Sequence, residues 1–140
     1  MIYLDTSAAI PLFVPEPASD AVDAWFESCD ETLISSDWIL TEFASALSIK
    51  VRRGEIEQKQ AQAAWKDFES FCQSGLRLVP GSRQAFTHAA KFVRDVSSAL
   101  RSGDSLHLSM ALEAGAASIA TADDTLAKNA QSMGLAVNRF

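Results

Sequence analysis

The chain has 140 residues, 48% hydrophobic and 21% charged, which is typical of a globular protein with a substantial core. Its net charge of −6 argues against a protein that coats DNA, but not against an enzyme whose bound cations supply positive charge locally. No apolar run approaches the roughly 18 residues that a membrane helix requires, and the apolar N-terminus lacks the basic flank of a signal peptide. Cys29 and Cys72 form no CxxC pattern and are typical of core residues in a reducing cytosol. We therefore expect one cytoplasmic domain over residues 1–140.

Five short apolar runs predict β-strands, and helical patterns lie between them. The strands are predicted at 2–4, 32–35, 76–79, 118–121 and 135–138, and the helices at 38–52, 55–73, 83–98, 104–114 and 124–133. Glycines stand where four of these helices would end, at Gly54, Gly75, Gly115 and Gly134. The alternation of short strands with helices predicts an α/β fold whose parallel sheet is covered on both faces.

Two of the predicted helices carry an apolar stripe with the helical period of 3.6 residues. In 55–73 the stripe comprises Ala61, Ala64, Trp65, Phe68, Phe71 and Cys72, and in 83–98 it comprises Phe86, Ala89, Ala90, Val93 and Val96. We expect both stripes to face the core.

A carboxylate stands between two apolar segments near the N-terminus. Asp5 follows the predicted strand IYL and precedes the mostly apolar residues 8–14. Burying an unpaired charge costs several kcal/mol. Asp5 must therefore cap a helix, pair with another group or bind a ligand.

Further carboxylates are predicted at the same edge of the sheet as Asp5. In a parallel α/β fold, strand carboxyl ends and helix N-termini share one edge, outside which ligands bind. The residues placed there are Asp5, Glu42, Asp104, Asp123 and Asp124. Helix capping is an alternative explanation for each aspartate. It does not suit Glu42, which shares the inward face of its helix with Ile39 and Phe43.

Carboxylates that converge in one site repel each other, and a divalent cation relieves that repulsion. Oxygen ligands suit Mg²⁺ or Mn²⁺ rather than zinc, and such ions promote phosphodiester hydrolysis. Other chemistries lack their motifs, because neither GxxxxGK[ST] nor GxGxxG occurs. A Ser–His–Asp site would need His88 or His107, and we expect His107, one turn after Asp104, to pack or hydrogen-bond there.

Four segments in order resemble the signature segments of PIN domains: YLDTSAAIPLF, LTEFASAL, RSGDSLHLSMAL and IATADDTLAKNAQSMGLAV. Their order and spacing are similar to those of the VapC-type toxins of bacterial toxin–antitoxin pairs, from about Ile2 to Val137. The resemblance implies a three-layer α/β/α fold and an Mg²⁺- or Mn²⁺-dependent ribonuclease. It places the metal-site acids at Asp5, Glu42, Asp104 and Asp123, with supporting hydroxyls at Thr6 or Ser7 and at Thr121.

The same resemblance implies partners: an RNA substrate, a second copy in a homodimer, and a small VapB-like antitoxin lying across the active-site groove. Two other functions remain, a PIN-fold binding module without catalysis and a phosphatase-like hydrolase using the same metals. The four intact acids argue against the first of these. The adjacent acids of TADD leave the fourth ligand between Asp123 and Asp124, and the Thr-x-Asp spacing of the family selects Asp123. Asp124 would then cap or lead the following helix.

Overall fold

A computed structural model of residues 1–140 consists of a five-stranded parallel sheet with helices on both faces. The strands are β1 (Ile2–Leu4), β2 (Leu33–Ser36), β3 (Leu76–Val79), β4 (Ser118–Thr121) and β5 (Ala136–Arg139). The helices are α1 (Thr6–Ala9), α2 (Ser19–Glu27), α3 (Trp38–Arg52), α4 (Gln58–Ser74), α5 (Arg83–Arg94), α6 (Ser102–Glu113) and α7 (Asp124–Ser132), with 3₁₀ turns at Ile10–Leu12 and Val96–Ser98. The predicted three-layer α/β/α fold is confirmed. None of these helices has the length and apolar character needed to cross a bilayer.

The strand order places a change of chain direction at the centre of the sheet. The order is β3-β2-β1-β4-β5, so the chain runs outward from β1 to β3 and then returns to build β4 and β5 on the other side. Leu4 of β1 is in register with Ala120 of β4. Ligands of open parallel sheets bind outside the carboxyl ends of the strands at such a switch point. Residues that directly follow β1 and β4 are therefore placed together at that position.

Alternate residues of the central strands face two separate cores, because successive side chains of a strand point to opposite faces. Ile2 and Leu4 of β1 pack with α3 and α4, whereas Tyr3 packs with α5, α6 and α7. In the first core, the rings of Phe43 and Phe68 stack with their centroids 3.8 Å apart. Both faces of the sheet are thus covered, as predicted.

The ends of the helices follow local capping. Helix α4 begins at Gln58 rather than at 55, because Glu57 and Gln60 form a reciprocal capping box. Gly54 and Gly134, at predicted helix ends, have φ angles of 71° and 81°. Residues other than glycine rarely adopt that left-handed conformation, so these glycines fix where the chain leaves α3 and α7.

The sequence patterns predicted neither α1 nor α2. Helix α1 has only four residues, which is too short to show a period. In α2 only Val22 is buried, so the helix has no stripe of core residues. Helix α1 nevertheless carries Thr6 and Ser7, which the sequence analysis predicts as supporting hydroxyls.

Two expectations about burial are wrong. Of the predicted stripe in 83–98 only Ala89 is buried, while Phe86, Ala90, Val93 and Val96 are exposed. Helix α5 packs on its neighbours through Ala85 and Ala89, and it ends at Arg94, so the remaining apolar residues lie outside that narrow contact. Cys29 and Cys72 are half-buried at the margin of the first core rather than inside it.

The stacked rings provide a test of the packing. Phe68 is completely buried, so Phe68→Ala should lower the free energy of unfolding by about 3–5 kcal/mol, as for other buried Phe residues. Phe86 is 54% exposed, and Phe86→Ala should lower it by less than about 1 kcal/mol. Chemical denaturation of both variants measures the difference. Equal losses would contradict the burial assigned to α4 and α5.

Candidate active site

A cavity of about 540 Å³ opens at the carboxyl edge of the sheet, and all four predicted acids line it. Each acid comes from a different element. Asp5 follows β1, Glu42 lies early in α3, Asp104 lies in the first turn of α6, and Asp123 is the N-cap of α7. Residues separated by more than a hundred positions in the sequence therefore meet at the switch point of the sheet.

Asp5 is held by hydroxyl groups and does not cap a helix. It is 2% exposed, and its side chain makes no capping bond to α1. Its Oδ2 accepts hydrogen bonds from Ser7 Oγ and, at 2.8 Å, from Thr121 Oγ1. Thr121 Oγ1 also accepts the backbone N–H of Asp123 at 3.0 Å, and Ser7 Oγ accepts that of Ala122 at 2.9 Å. The hydroxyls thus connect the segments that follow β1 and β4.

Glu42 reaches the site through hydrogen bonds with Thr6 and His107. The Thr6 hydroxyl donates to the Glu42 carboxylate, and His107 Nε2 lies 2.6 Å from Glu42 Oε2. Burial raises the pKa of Glu42, but the bond and charge of His107 and the bond from Thr6 lower it below its usual value. A Cβ atom at Gly103 would lie 2.5 Å from Glu42 Oε1, so the lack of a side chain there gives the carboxylate its space.

His107 packs and hydrogen-bonds, as expected, but the sequence did not indicate its partners. Its side chain is completely buried and contacts Glu42, Asp5 and Tyr3. Burial lowers the pKa of His107, whereas the Tyr3 oxygen and the two carboxylates raise it, to about 10. Residues 105–111 of α6 are all buried. Because no face of this stretch is exposed, hydrophobic periodicity could not predict which way the His107 side chain points.

Asp104 is the acid whose ionised form is destabilised by its surroundings. It lies in the first turn of α6 without capping it, and it lines the same cavity. Burial and the negative charges of Asp123, Asp5 and Glu42 raise the pKa of Asp104 to about 6. The site therefore contains more negative charge than His107 compensates.

The two acids of TADD have different environments. Asp123 Oδ1 accepts the backbone N–H of Leu126 at 2.7 Å, so Asp123 caps α7 while it lines the cavity. Asp124 leads the helix and forms an exposed ion pair with Arg139. Of the two roles predicted for Asp124, it leads the helix, and Asp123 provides the cap.

The residues present fit a hard divalent cation. Carboxylate oxygens dominate the cavity, and oxygen donors suit Mg²⁺ and Mn²⁺. One ligand atom each of Asp5, Glu42 and His107 lie within 4.8 Å of one another. The raised pKa of Asp104 is the electrostatic sign of a site that lacks positive charge. Fold and site together define an α/β/α protein with an acidic, cation-accepting cavity at the switch point of its sheet.

The chain belongs to the PIN domain family, whose model matches residues 2–131. Ribonuclease VapC45 of Mycobacterium tuberculosis is 30% identical over 115 residues, which are 82% of this chain and 77% of the relative. Among solved structures, M. tuberculosis VapC20, titled a sarcin–ricin loop cleaving toxin, superposes with a TM-score of 0.75 at 14% identity, over 92% of this chain and 95% of that one. FitAB bound to an IR36 DNA fragment gives 0.73 at 18% identity, over 99% and 94%. The family resemblance of the four segments is confirmed.

The raised pKa of Asp104 predicts how stability varies with pH. Because its folded-state value of about 6 exceeds its ordinary value of 3.8, protonation of Asp104 favours the folded state. The free energy of unfolding should rise as the pH falls through about 6. His107 acts in the same direction: its stabilising contribution is complete below 6.5 and is lost as the pH rises towards about 10. Metal-free protein should therefore have a higher Tm at pH 5 than at pH 7.

The Asp104→Asn variant isolates the contribution of Asp104 to this dependence of stability on pH. Without metal, it should have a higher Tm than the wild type at pH 7 and a smaller rise between pH 7 and pH 5. Asp124→Asn, whose carboxylate lies outside the cavity, is the matched control and should keep the full rise. Scanning calorimetry after chelation measures both. An undiminished rise in Asp104→Asn would contradict the repulsion assigned to this site.

Proposed function

We propose that the protein is a divalent-metal-dependent endoribonuclease that acts as the toxin of a toxin–antitoxin pair, with residues 1–140 forming one domain. The observation that carries the proposal is the convergence of Asp5, Glu42, Asp104 and Asp123 on one cavity at the sheet edge. Membership of the PIN domain family supports it, as does the 30% identity to a protein named a ribonuclease.

The metal proposed for this site is Mg²⁺ or Mn²⁺, held by the carboxylates of these four residues. Such an ion supplies Lewis-acid activation of an RNA phosphodiester and of the attacking water. The protein supplies the position of each ligand. Ser7 and Thr121 hold Asp5 through its Oδ2, and Thr6 holds Glu42. The Leu126 N–H holds Asp123. Because hydrogen bonds already hold these carboxylates in position, the side chains lose little entropy when the cation and the RNA bind.

The proposed partners are RNA, a small VapB-like antitoxin and a second copy of the chain in a homodimer. The similarity to VapC-type toxins supports all three, and an RNA substrate implies a cytoplasmic location. The acidic cavity is suited to an arginine side chain of the antitoxin. The planar guanidinium of arginine can donate two parallel N–H bonds to one carboxylate. Such a residue would neutralise the same charges as the metal and so compete with it.

Removal of the metal tests the proposed chemistry. The purified protein should cleave RNA in Mg²⁺ or Mn²⁺, lose that activity in EDTA, and regain it when metal is restored. Asp5→Asn should fold normally but cleave about a hundredfold more slowly or worse, because it removes a charged ligand from the reacting centre. The same variant, purified in parallel, controls for contaminating nucleases. Undiminished cleavage by metal-free protein would refute the metal mechanism, and RNA binding without cleavage would favour the silent binding module.

Substitution of the two adjacent acids at the start of α7 should affect the cleavage rate and the stability separately. Asp123→Asn removes a negative charge from the cavity but keeps a good N-cap, because Asn caps helices as well as Asp does. It should lower the cleavage rate by about tenfold or more with little change in Tm. Asp124→Asn breaks only the exposed pair with Arg139, so it should keep the rate and lose less than about 1 kcal/mol of stability.

Rate and Tm measured for both variants test this assignment. Full activity in Asp123→Asn together with a slow Asp124→Asn would transfer the fourth ligand to Asp124.

A further inference from the structure

We propose that His107 is a positioning residue that holds Glu42 and Asp5 together for the cation, and that Tyr3 and Ser36 in turn hold His107. This role rests on the proposed metal-dependent function and extends it to a residue outside the four acids. His107 is completely buried and does not itself line the cavity, so it acts through the carboxylates that it contacts.

The first side of the imidazole faces the site. Nε2 lies 2.6 Å from Glu42 Oε2, 3.1 Å from Thr6 Oγ1 and 3.4 Å from Asp5 Oδ1. A separation of 2.6 Å requires a proton between the two atoms, and because Glu42 Oε2 already accepts the Thr6 hydroxyl, Nε2 is the donor. Asp5 Oδ1 lies within ion-pair distance of the same nitrogen, although the hydrogen bond itself goes to Glu42. One donor thus lies between two carboxylates that would otherwise separate.

The second side of the imidazole is anchored to the centre of the sheet. Nδ1 lies 2.9 Å from the hydroxyl oxygen of Tyr3, and that hydroxyl donates to Ser36 Oγ at 2.8 Å. The backbone N–H of Ser36 also donates to the Tyr3 oxygen at 3.3 Å. Tyr3, Ser36 and His107 are each 0% exposed. Since β1 and β2 are paired strands, the ring is held by two neighbouring strands at the centre of the sheet.

The geometry favours positioning over direct ligation. Nε2 is directed at Glu42 Oε2 by a short hydrogen bond, and no face of the ring is open to the cavity. Glu42 Oε1 lies beside Gly103, where it is separate from this bond. His107 therefore occupies one oxygen of Glu42 and leaves the other for a cation. Hydrogen-bonded partners of this kind around metal ligands typically contribute about 10–100-fold in metal affinity.

The test measures binding of Mn²⁺ and of Mg²⁺ to metal-free protein by isothermal titration calorimetry. His107→Gln should weaken both ions by a similar factor, about 10–100-fold. Tyr3→Phe keeps the imidazole and removes only the hydroxyl that orients it, so it should weaken both ions by a smaller factor. His88→Gln is the matched control, because His88 is the other histidine of the chain and is exposed on α5.

Each outcome supports or overturns the role. The Tm of each variant establishes that it is folded, and if His107→Gln does not fold, Tyr3→Phe decides the result. Unchanged affinities in the folded variants would make His107 a purely structural residue. A loss confined to Mn²⁺ would make His107 a ligand, since imidazole nitrogen suits Mn²⁺ better than Mg²⁺. If the wild type binds neither ion, the proposed function fails and this role fails with it. If the wild type binds and cleaves while the variants bind equally, only the role of His107 fails.

Discussion

Mutual repulsion among carboxylates is the constraint on which the rest of this structure depends. Four acids at one edge raise each other's free energy, and burial together with this repulsion raises the pKa of Asp104. The protein offsets it with short hydrogen-bond donors: hydroxyls at Asp5, a hydroxyl and an imidazole at Glu42, and a helix N-terminus at Asp123. Asp104 has no such donor from a side chain. It is therefore the acid whose charge depends most on a cation.

The scaffold explains how these acids can be held close without a cation. Each one leaves a rigid element within a few residues, so its position is set by strand pairing and helix packing rather than by a flexible loop. Helix α6 contributes twice, because the half-buried Asp104 lies in its first turn and His107 lies in its buried middle. A helix buried on all sides is usually only part of a core. Here it also carries a polar contact from the central strand β1 to the edge of the sheet.

Sequence patterns were sufficient for the parts of the fold that local rules determine. The predicted strands agree with the observed ones to within one residue, and α3 was predicted at its observed bounds. The convergence of the acids followed from topology alone, since parallel strands share a carboxyl edge. The failures have physical causes. The apolar face of α5 is wider than the surface available to cover it, so periodicity selected Phe86 instead of Ala85. The direction of His107 depends on Tyr3, which lies 104 positions earlier in the sequence.

The central position of β1 also determines when the site can exist during synthesis. The strand that precedes Asp5 pairs with β4, and the Thr121 hydroxyl that holds Asp5 lies 116 positions later in the sequence. Contacts of such sequence separation form late, because the intervening chain must first be closed into a loop. A nascent chain therefore carries separated acids and no assembled cavity until β4 and the residues that follow it have emerged from the ribosome. For a nuclease of the kind proposed, the topology delays assembly of the acidic site until residue 123 has been made, and chains that end before it lack the complete set of acids.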